Sequence, residues 1–414
     1  MAQEQESRGG AWRALRQKWT GRTAEKGGAD AEEPARLQRR RLTRPDRTRV
    51  FTTSNQKGGV GKTTTTVNLA AALARAGMRV MVVDIDPQGN ASTALNIPHT
   101  GDVASVYDVL LGEMEIQDVV QDAPDVDGLQ VVPATIDLAG AEIELVSLVA
   151  REQRLSRALE AYTAWREEVG QERLDYVFID CPPSLGLLTV NAFVAAEEVL
   201  IPIQAEYYAL EGLSQLLKNV QMIQKHLNPR LQVSTILLTM FDARTNLAVQ
   251  VAEEVRTHFP EQLLNTAIPR NVRISEAPSY QQTVLTYDPA SAGAVAYREA
   301  AAEIASRYGS PVAFELLLSA TQYRLGYPAG RRYAELQPLL DKYPPFLARP
   351  GVGGAVTILQ MIQAERLDYT IDYPIVANYF NRTGQGNISS LPIREQQQDH
   401  IPGAIGCARS DWGR

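Results

Sequence analysis

A glycine-rich turn between a strand-like run and a helical stretch constrains this chain more than any other feature. The turn reads Gln-Lys-Gly-Gly-Val-Gly-Lys-Thr-Thr over residues 56–64, and it lies between an apolar run at 50–53 and a helical pattern over 64–76. Its glycines leave backbone N–H groups free to surround a polyphosphate, and the start of the helix adds unpaired donors and the positive end of its dipole. The order of these pieces predicts a phosphate-binding loop.

Two side chains of this loop are expected to contact the phosphates and the metal ion. Lys62 is expected to reach the β- and γ-phosphates of a nucleotide, and the Thr63 hydroxyl is expected to coordinate Mg²⁺. A turn that only connects a strand to a helix has no packing use for a lysine and a threonine at these offsets. The loop also departs from the ordinary pattern, because Gln56 replaces its first glycine and Lys57 is an additional lysine.

Two aspartate motifs complete the predicted nucleotide site. Asp84 and Asp86 follow the apolar run 80–83, and Asp180 follows the apolar run 176–179. In open α/β sheets, ligands bind at the carboxyl ends of the strands. We expect Asp84 to hold water on the metal, Asp86 to orient the attacking water, and Asp180 to support Mg²⁺ through its hydration shell. Either motif alone also fits a turn or a helix cap, but their order after the loop favours the nucleotide site.

The composition favours a globular protein of a reducing compartment. The 414 residues carry a formal net charge of −7 and are 44% hydrophobic, so any contact with DNA must be local. The two cysteines, Cys181 and Cys407, cannot form a disulfide framework or a four-thiolate metal site within one chain. No apolar run is long enough to cross a bilayer, and the N-terminus lacks the apolar core of a signal peptide. These features predict a cytoplasmic protein.

The chain divides into three predicted parts. Residues 1–48 are polar and charged and are predicted to be a disordered tail; its basic arm, 36–49, fits DNA phosphates, an acidic partner or plain solvation. Residues 49–309 alternate apolar runs with helical patterns, which is typical of a doubly wound α/β domain with a mainly parallel sheet. Residues 310–414 are an appended segment. Beyond the first strand, the predicted strands lie at 80–83, 129–132, 176–179, 199–203, 234–239 and 267–268.

The segment from about Arg49 to Tyr308 resembles the ParA/Soj chromosome- and plasmid-partition ATPases, which are P-loop NTPases with a deviant Walker A motif. The stretches that carry the resemblance are 56–66, 84–93, 180–186, 206–212 (Glu-Tyr-Tyr-Ala-Leu-Glu-Gly) and 268–279 (Ile-Pro-Arg-Asn-Val-Arg-Ile-Ser-Glu-Ala-Pro-Ser). The resemblance implies an ATPase whose cofactors are ATP and Mg²⁺, with weak intrinsic activity.

The same resemblance implies roles for individual residues. Lys57 would reach across an ATP-dependent homodimer and offset charge at the phosphates bound by the other subunit, which makes it catalytic together with Asp86. The metal ligands would be Thr63, Asp84 and Asp180. The implied contacts with ATP are Lys57, Gly58, Gly59, Val60, Gly61, Lys62, Thr63 and Thr64, with Met240 and Pro269 flanking the adenine. Residues 206–212 would lie at the dimer interface or on the side that meets a partner, although core packing explains them equally well.

Non-specific DNA binding is a further implication of the resemblance. The candidate contacts are Arg244 and Arg273, with Arg270 as a third, and an ordinary surface salt bridge is the alternative for each. Pairing two subunits multiplies the phosphate contacts that release counterions, so ATP would switch DNA affinity. In the family, a ParB-type centromere-binding protein accelerates hydrolysis. The implied location is the nucleoid, without membrane binding.

Three other functions compete with this interpretation. A MinD-like membrane-cycling division ATPase would need a basic amphipathic helix at its C-terminus, whereas residues 299–308 are alanine-rich with mixed charge and the chain continues. A reductase like the nitrogenase iron protein would need two cysteines per subunit for a shared cluster, and only Cys181 lies in the domain. A DNA scaffold that binds ATP without turnover is disfavoured by Asp86.

The last hundred residues follow a different pattern. Residues 314–414 weakly resemble part of one lobe of extracellular solute-binding proteins, through the stretches 324–333, 359–369 and 373–374. We interpret this segment as a fusion or a joined gene fragment, which is either a partly folded appendage or a small accessory domain. No function is assigned to it.

Overall fold

The structure is a computed structural model that describes residues 42, 44–206 and 209–307, together with five short strands further along the chain. The chain divides into two compact units: the larger contains residues 47–303, and the smaller contains the five strands. The predicted tail, residues 1–48, lies outside the described residues except for its last positions. Half of the basic arm, 36–49, lies outside them as well.

The larger unit is built on a seven-stranded sheet in the order β3-β4-β2-β5-β1-β6-β7. Its strands are β1 (Arg49–Thr53), β2 (Val80–Asp84), β3 (Gln121–Asp122), β4 (Leu129–Val132), β5 (Tyr176–Asp180), β6 (Glu198–Gln204) and β7 (Gln232–Thr239). Every neighbouring pair is parallel except β3 with β4. This confirms the predicted doubly wound, mainly parallel sheet.

Helices connect the parallel strands and pack against the sheet. In the first half they are α1 (Lys62–Arg75), α2 (Asn90–Ala94), α3 (Val106–Leu111), α4 (Ile116–Val119), α5 (Leu138–Leu145) and α6 (Arg154–Glu168). In the second half they are α7 (Leu187–Ala195), α8 (Ala209–His226), α9 (Asn246–His258), α10 (Val272–Glu276), α11 (Val284–Tyr287) and α12 (Ala292–Arg307). Two 3₁₀ turns lie at Arg151–Gln153 and Ala277–Tyr280. Helix α1 begins two residues before the predicted start.

The central strands are buried along their whole length. All five residues of β2 and all five of β5 are buried, which explains why both read as continuous apolar runs in the sequence. Between β1 and β5 the rings of Phe51 and Phe178 stack with their centroids 5.2 Å apart. Closely packed, buried strands are rigid, so the residues at their carboxyl ends are held in fixed positions.

A buried ion pair closes the opposite edge of the sheet, where the parallel strands begin. Arg49 of β1 donates from Nε and Nη2 to the two carboxylate oxygens of Glu198 of β6, and both distances are 2.7 Å. The guanidinium also lies 4.7 Å from the centre of the Phe51 ring. Burial acts to lower the pKa of Arg49, but the hydrogen bond and charge of Glu198, together with Tyr176, outweigh it, so the pKa of Arg49 is raised. The pair therefore stays charged inside the protein.

Two details of the predicted strands are wrong. Residues 267–268 are not a strand: Ile268 donates to the carbonyl of Leu238 (2.8 Å) and accepts from Phe241 (2.9 Å), and one isolated bridge joins Phe241 to Pro269. Proline has no N–H with which to extend a ladder, so the segment runs beside β7 without joining the sheet. The prediction also missed β3, because two polar residues give no apolar alternation to detect.

The smaller unit contains a second sheet with five strands in the order β11-β12-β10-β8-β9. These strands are β8 (Leu325–Pro328), β9 (Leu347–Arg349), β10 (Tyr369–Asp372), β11 (Ile388–Pro392) and β12 (Ala404–Ala408). The pairs β8–β9 and β8–β10 are parallel, whereas β10–β12 and β11–β12 are antiparallel. The resemblance of this segment to a solute-binding lobe stays a prediction.

Candidate nucleotide-binding site

The carboxyl ends of three neighbouring strands bring the predicted site together. Thr53 of β1 is in register with Asp180 of β5, which is in register with Asp84 of β2. All three residues are buried, and Thr53 Oγ1 has no hydrogen-bond partner among the described residues. An unpaired hydroxyl at such an edge leaves a polar position open to a ligand.

The glycine-rich loop is fastened at both of its ends. Asn55 donates through Nδ2 to the carbonyl of Pro202 (2.8 Å) and accepts from the N–H of Lys57 (3.0 Å). Further along, the hydroxyl of Thr239 at the end of β7 donates to the carbonyl of Val60 (2.8 Å). The loop therefore keeps its shape through contacts with β6 and β7, and its N–H groups remain oriented for a ligand.

Left-handed backbone geometry explains why glycine occupies two positions of this loop. Gly59 has a φ of 74° and Gly61 a φ of 86°, values that residues with a side chain rarely adopt. Gly61 immediately precedes α1, and Gly58 and Gly59 are exposed. Thr64 lies half-buried in the first turn of α1. The predicted phosphate contacts thus surround the N-terminus of a long helix, where anions are favoured.

Lys62 is nearly buried at the start of α1. Its Nζ lies 3.5 Å from the carbonyl of Lys57, so the side chain curls over the loop. Burial lowers the pKa of Lys62, and the nearby carboxyl groups of Asp180 and Asp86 oppose that effect. A buried ammonium group gains most from an anion placed beside it, which is what a bound phosphate would supply.

Asp180 is held by two hydroxyl groups of α1. Thr63 Oγ1 donates to Oδ2 of Asp180 at 2.7 Å, and Thr66 Oγ1 lies 2.9 Å from Oδ1. Burial raises the pKa of Asp180, and the carboxyl group of Asp84 raises it further. Thr63 and Asp180, both predicted to serve the metal, are therefore in direct contact. Thr66 was missed because a threonine inside a helix gives no signal of its own.

Asp84 fastens the loop that carries Asp86. Its Oδ2 accepts from both the N–H (2.9 Å) and the hydroxyl (2.8 Å) of Ser92, and its Oδ1 accepts from the N–H of Asp86 (3.2 Å). Burial raises the pKa of Asp84, and these hydrogen bonds oppose the rise. The sequence reasoning missed Ser92, although it lies within the motif 84–93 and two residues after the start of α2.

Asp86 is the least buried of the three carboxyl groups at the candidate site. It is buried except for a small exposed fraction, and its Oδ1 accepts from the N–H of Gln88 at 3.0 Å. This bond belongs to the turn that leads into α2, so the carboxyl group is oriented by its own loop.

Lys57 is paired within its own chain. Its Nζ lies 2.5 Å from Oε2 of Glu206, which follows β6, and roughly half of each side chain is exposed. Lys57 is predicted to reach a second subunit. In a single chain its ammonium group instead bonds the carboxylate of Glu206. Sequence spacing did not reveal this partner, because the two residues are brought together only by the neighbouring strands β1 and β6.

The two residues predicted to flank the adenine lie on adjoining segments. Met240 follows β7 with a left-handed φ of 48°, which is uncommon for a residue with a long side chain. Its Cε lies 4.0 Å from the position that a Cβ on Gly61 would occupy, so the side chain approaches the glycine-rich loop. The bridge between Phe241 and Pro269 places Pro269 beside the same strand end.

The first arginine predicted to contact DNA is paired with a neighbour. Arg244 is exposed and donates to both oxygens of Asp242, from Nε at 2.9 Å and from Nη2 at 2.7 Å. These hydrogen bonds lower the pKa of Asp242 to about 2, and the nearby charge of Arg270, the third candidate, acts in the same direction. Both arginines therefore face one carboxylate.

Arg273 is likewise paired with acidic neighbours. Its Nη1 donates to Oε2 of Glu276 (3.0 Å), and its Nε lies 3.4 Å from Oδ2 of Asp288. The bridge between Phe241 and Pro269 brings Arg270 beside the end of β7, and Arg273 follows three residues later, in α10. A phosphate would have to compete with these carboxylates for the guanidinium groups.

The donor set at the strand ends fits a hard divalent cation. The carboxyl groups of Asp180 and Asp86 lie near the ammonium group of Lys62, and the carboxyl group of Asp84 lies near that of Asp180. Oxygen ligands of this kind suit Mg²⁺, which also keeps several waters and takes up phosphate oxygens. Within the described part of the chain, no three His, Cys, Asp or Glu side chains are grouped as a metal site, so phosphate, water and hydroxyl ligands would have to complete it.

Known proteins resemble this chain closely in sequence. Residues 48–233 match a family profile described as an AAA domain. The chain is 54% identical over 258 residues to the sporulation initiation inhibitor protein Soj of Bacillus subtilis. The aligned region covers 62% of this chain and 98% of that protein. It is 49% identical over 259 residues to the chromosome partitioning protein ParA of Caulobacter vibrioides, covering 63% of this chain and 94% of the relative.

Solved structures agree with the fold of the larger unit. A cobyrinic acid a,c-diamide synthase from Mycobacterium smegmatis, with bound ADP and magnesium, superposes with a TM-score of 0.52 at 37% identity, covering 61% of this chain and 92% of that one. The cell division ATPase MinD of Pyrococcus furiosus superposes with a TM-score of 0.50 at 27% identity, covering 62% and 98%.

Proposed function

Since the chain belongs to the ParA/Soj family of chromosome-partitioning ATPases, we propose that it couples ATP hydrolysis to reversible binding of DNA. Mg²⁺-ATP brings two copies together, the dimer binds DNA without sequence preference, and slow hydrolysis, accelerated by a ParB-type partner, releases it. The protein would act in the cytoplasm, on the nucleoid. Among the described residues, no helix is both long and apolar enough to span a bilayer.

One observation carries this proposal: the loop holds two lysines in opposite environments. Lys62 is nearly buried over the loop, whereas Lys57 lies half-exposed beside it and bonds a glutamate that is also half-exposed. A buried lysine suits the phosphates of the nucleotide bound by the same chain. An exposed one at the same loop can exchange its partner for a phosphate held by a second copy.

The residues that would hold the nucleotide and its metal follow from the contacts at the strand ends. The N–H groups of Gly59 to Lys62 would bind the phosphates, and the Thr63 hydroxyl, which donates to Asp180, would bind Mg²⁺ directly. Bound Mg²⁺ would neutralise phosphate charge as it develops. Asp180 would then hold metal-bound water, and Asp84 would keep the loop that carries Asp86 in place.

Hydrolysis requires a water placed in line with the terminal phosphate. Asp86 is the least buried of the three carboxyl groups at the site, and the bond from the N–H of Gln88 orients it. We assign to Asp86 the orientation of the attacking water, and to Lys57 and Lys62 the stabilisation of charge on the transferred group. Asp84 supports this step through Ser92 and the backbone of Asp86.

Dimerisation would exchange one ion pair for another. In a single chain, Lys57 is bonded to Glu206. An exposed pair of this kind contributes only about 0–1 kcal/mol, so its loss is a small cost against a contact with a triphosphate. ATP therefore supplies the charge that draws Lys57 across the interface, which makes pairing depend on the nucleotide.

DNA binding would use the arginines near the end of β7. The side chain of Arg244 is 85% exposed, and that of its partner Asp242 is 26% exposed. A few such contacts per subunit give weak binding, and a dimer doubles their number. Arg270 and Arg273 lie on the adjoining segment and would extend the same surface.

DNA co-sedimentation with ATP, with ADP and without nucleotide tests the switch. We expect the unaltered protein to pellet with DNA only in ATP, and Lys57→Ala and Arg244→Glu to abolish this. Matched controls are Lys218→Ala, an exposed lysine of α8, and Arg230→Glu, an exposed arginine that precedes β7 and pairs with Glu197. Equal binding in all three nucleotide states, or loss of binding in the controls, would contradict the switch.

A phosphate-release assay separates an ATPase from a scaffold that only binds ATP. Lys62→Ala is expected to reduce the turnover by about 100–1,000-fold, the usual effect of removing one preorganised charge from a phosphoryl-transfer site. Adding DNA and a ParB-type peptide should raise the turnover of the unaltered protein. Binding to anionic vesicles in place of DNA would favour the membrane-cycling alternative.

A further inference from the structure

The loop that follows α2 turns back over the start of the same helix. Asn96, two residues after α2, has a left-handed φ of 56°, a conformation that asparagine adopts more readily than most residues. Next to it, the N–H of Ile97 donates to the carbonyl of Ser92 at 2.9 Å. The left-handed residue reverses the chain and the hydrogen bond holds the reversal, so the side chain of His99 is brought back to the turn that precedes α2.

The half-buried ring of His99 lies against Gly89, the residue immediately before α2. A Cβ on Gly89 would lie 2.8 Å from Cδ2 of His99 and 3.2 Å from the carbonyl oxygen of Ala134, which follows β4. Both distances are shorter than ordinary contacts, so the imidazole and this carbonyl leave no room for a side chain. Gly89 also has a φ of 61°, which by itself favours glycine. The backbone at Gly89 is therefore packed directly against the ring.

Hydrogen bonds at both ring nitrogens fix the orientation of His99. Nδ1 lies 2.8 Å from the carbonyl oxygen of Ile97, and because a carbonyl can only accept, Nδ1 carries a hydrogen. Nε2 lies 3.2 Å from the hydroxyl of Thr93, which also donates to the carbonyl of Gly89 at 3.0 Å. The imidazole is thus joined to Gly89 twice, by packing and through the hydroxyl of Thr93.

Gly89 closes the turn that orients the carboxyl group of Asp86. The N–H of Gly89 donates to the carbonyl of Asp86 (2.8 Å), and the N–H of Gln88 donates to Oδ1 of the same aspartate (3.0 Å). Because the turn spans only four residues, a movement of its last residue changes the direction in which the carboxyl group of its first residue points. The ring of His99 contacts that last residue.

We propose that His99 is a positioning residue for hydrolysis, which acts on Asp86 through Gly89. The ring keeps the backbone of Gly89 in its left-handed conformation, and this conformation keeps the carboxyl group of Asp86 directed at the attacking water. The inference rests on the proposed function, because it requires Asp86 to orient that water. Since Asp86 is not assigned to nucleotide binding, loss of the ring should slow turnover and leave nucleotide affinity unchanged.

Phosphate release and ADP affinity, both measured on the full-length protein, test the role of His99. At saturating Mg²⁺-ATP, His99→Ala is expected to reduce turnover by about tenfold, because a displaced carboxyl group positions the water poorly. The dissociation constant of Mg²⁺-ADP should stay within about twofold. His258→Ala is the matched control: Nδ1 of this exposed histidine of α9 also lies 2.9 Å from a backbone carbonyl, that of Glu254, and its loss should change neither quantity.

A double-mutant cycle tests whether the effect passes through the turn. Gly89→Ala places a methyl group where the ring of His99 lies, so it should displace the ring and slow turnover by itself. Once the ring is displaced, its removal adds little, so the double variant Gly89→Ala/His99→Ala should match Gly89→Ala within about twofold. If the two losses multiplied, His99 would not act through Gly89 and the proposal would be wrong.

Two further kinetic outcomes would overturn the inference. Unchanged turnover in His99→Ala would mean that the ring does not position Asp86. A parallel loss of turnover and ADP affinity would mean that the ring supports the whole nucleotide site, which is a general role in stability.

Hydrogen exchange without nucleotide supplies a measurement that needs no turnover. The N–H groups of Gly89 and Thr93 are bonded within the turn and α2, so they should exchange at least about tenfold faster in His99→Ala, whereas that of Thr65 in α1 should not change. An unaltered protein that releases no phosphate would contradict the proposed function. In a protein that does release phosphate, amides that do not respond to His99→Ala would contradict this inference alone.

Discussion

Two arginine–carboxylate pairs at opposite ends of the sheet have nearly the same geometry and opposite surroundings. Arg49 bonds both oxygens of Glu198 at 2.7 Å with only 6% of its side chain exposed. Arg244 bonds both oxygens of Asp242 at 2.7 and 2.9 Å with 85% of its side chain exposed. The bonds are alike, but water reaches only the second pair.

Burial decides what each pair can do. A buried guanidinium cannot lose its partner without leaving an uncompensated charge, so Arg49 and Glu198 fix β1 against β6. An exposed guanidinium is hydrated whether or not it is paired, so Arg244 can exchange Asp242 for another anion at little cost, as the proposed DNA contact requires. The same chemical contact thus serves as a permanent clamp at one edge and as a reversible one at the other.

The largest expected effect comes from breaking the buried pair. Glu198→Gln should destabilise the protein by about 3–5 kcal/mol, because Arg49 would remain buried without a counter-charge. Guanidinium denaturation followed by circular dichroism measures the change. Asp242→Asn is the matched control and should leave the denaturation midpoint unchanged. A small change for Glu198→Gln would mean that water enters beside Arg49.

A second, smaller effect is expected for a buried hydrogen bond of the nucleotide site. Ser92→Ala removes the hydroxyl that donates to Asp84 at 2.8 Å and should cost about 1–3 kcal/mol. Because Asp84 also holds the loop of Asp86, the phosphate-release rate should fall as well. Ser214→Ala on α8 removes an exposed hydroxyl that bonds the carbonyl of Leu210 and should change neither quantity.

The exposed pair is expected to act on DNA affinity without affecting stability. Asp242→Asn frees Arg244, so binding in ATP should tighten and the logarithm of the affinity should fall more steeply with the logarithm of salt, by about 0.9 for each additional DNA phosphate that is neutralised. Arg244→Ala should make the slope shallower by about 1. Fluorescence anisotropy at several salt concentrations measures both. If the variants and the unaltered protein had the same salt dependence, Arg244 would not contact DNA.

The smallest effect is a shift in one titration. The pKa of Asp242 is lowered to about 2 by the bonds from Arg244, and Arg244→Gln should return it toward the ordinary value of 3.8. Since the folded-state pKa is depressed, the contact is present above the ordinary pKa and is lost as the pH falls through about 2. Carbon-13 NMR of the carboxyl group follows the titration. An unchanged pKa would mean that the pair does not persist in solution.

Much of the geometry of the candidate nucleotide site was predictable because its residues are consecutive or end an apolar run. The glycine-rich loop needs only local geometry, and Asp84 and Asp180 follow buried strands whose neighbours are fixed by the doubly wound pattern. The parallel sheet itself followed from the alternation of apolar runs and helical patterns. Each of these signals depends on residues that are close together in the sequence.

The parts that were not predictable depend on contacts between distant residues. Lys57 and Glu206 are separated by 149 positions, and only the register of β1 with β6 brings them together. Ser92 reaches Asp84 because a short helix turns back over β2. Residues 267–268 looked like a strand because they are apolar, but Pro269 prevents a ladder.

The order of the strands has a consequence for how the chain matures during synthesis. β1 lies between β5 and β6, which are made more than a hundred residues later, and Val60 is held by Thr239 from the final strand of the larger sheet. Asn68 of α1 accepts from the N–H of Val284, still further along. The glycine-rich loop is therefore translated early and completed late, and a ribosome-bound fragment that stops before β7 would carry the motif without the contact that fixes the shape of the loop.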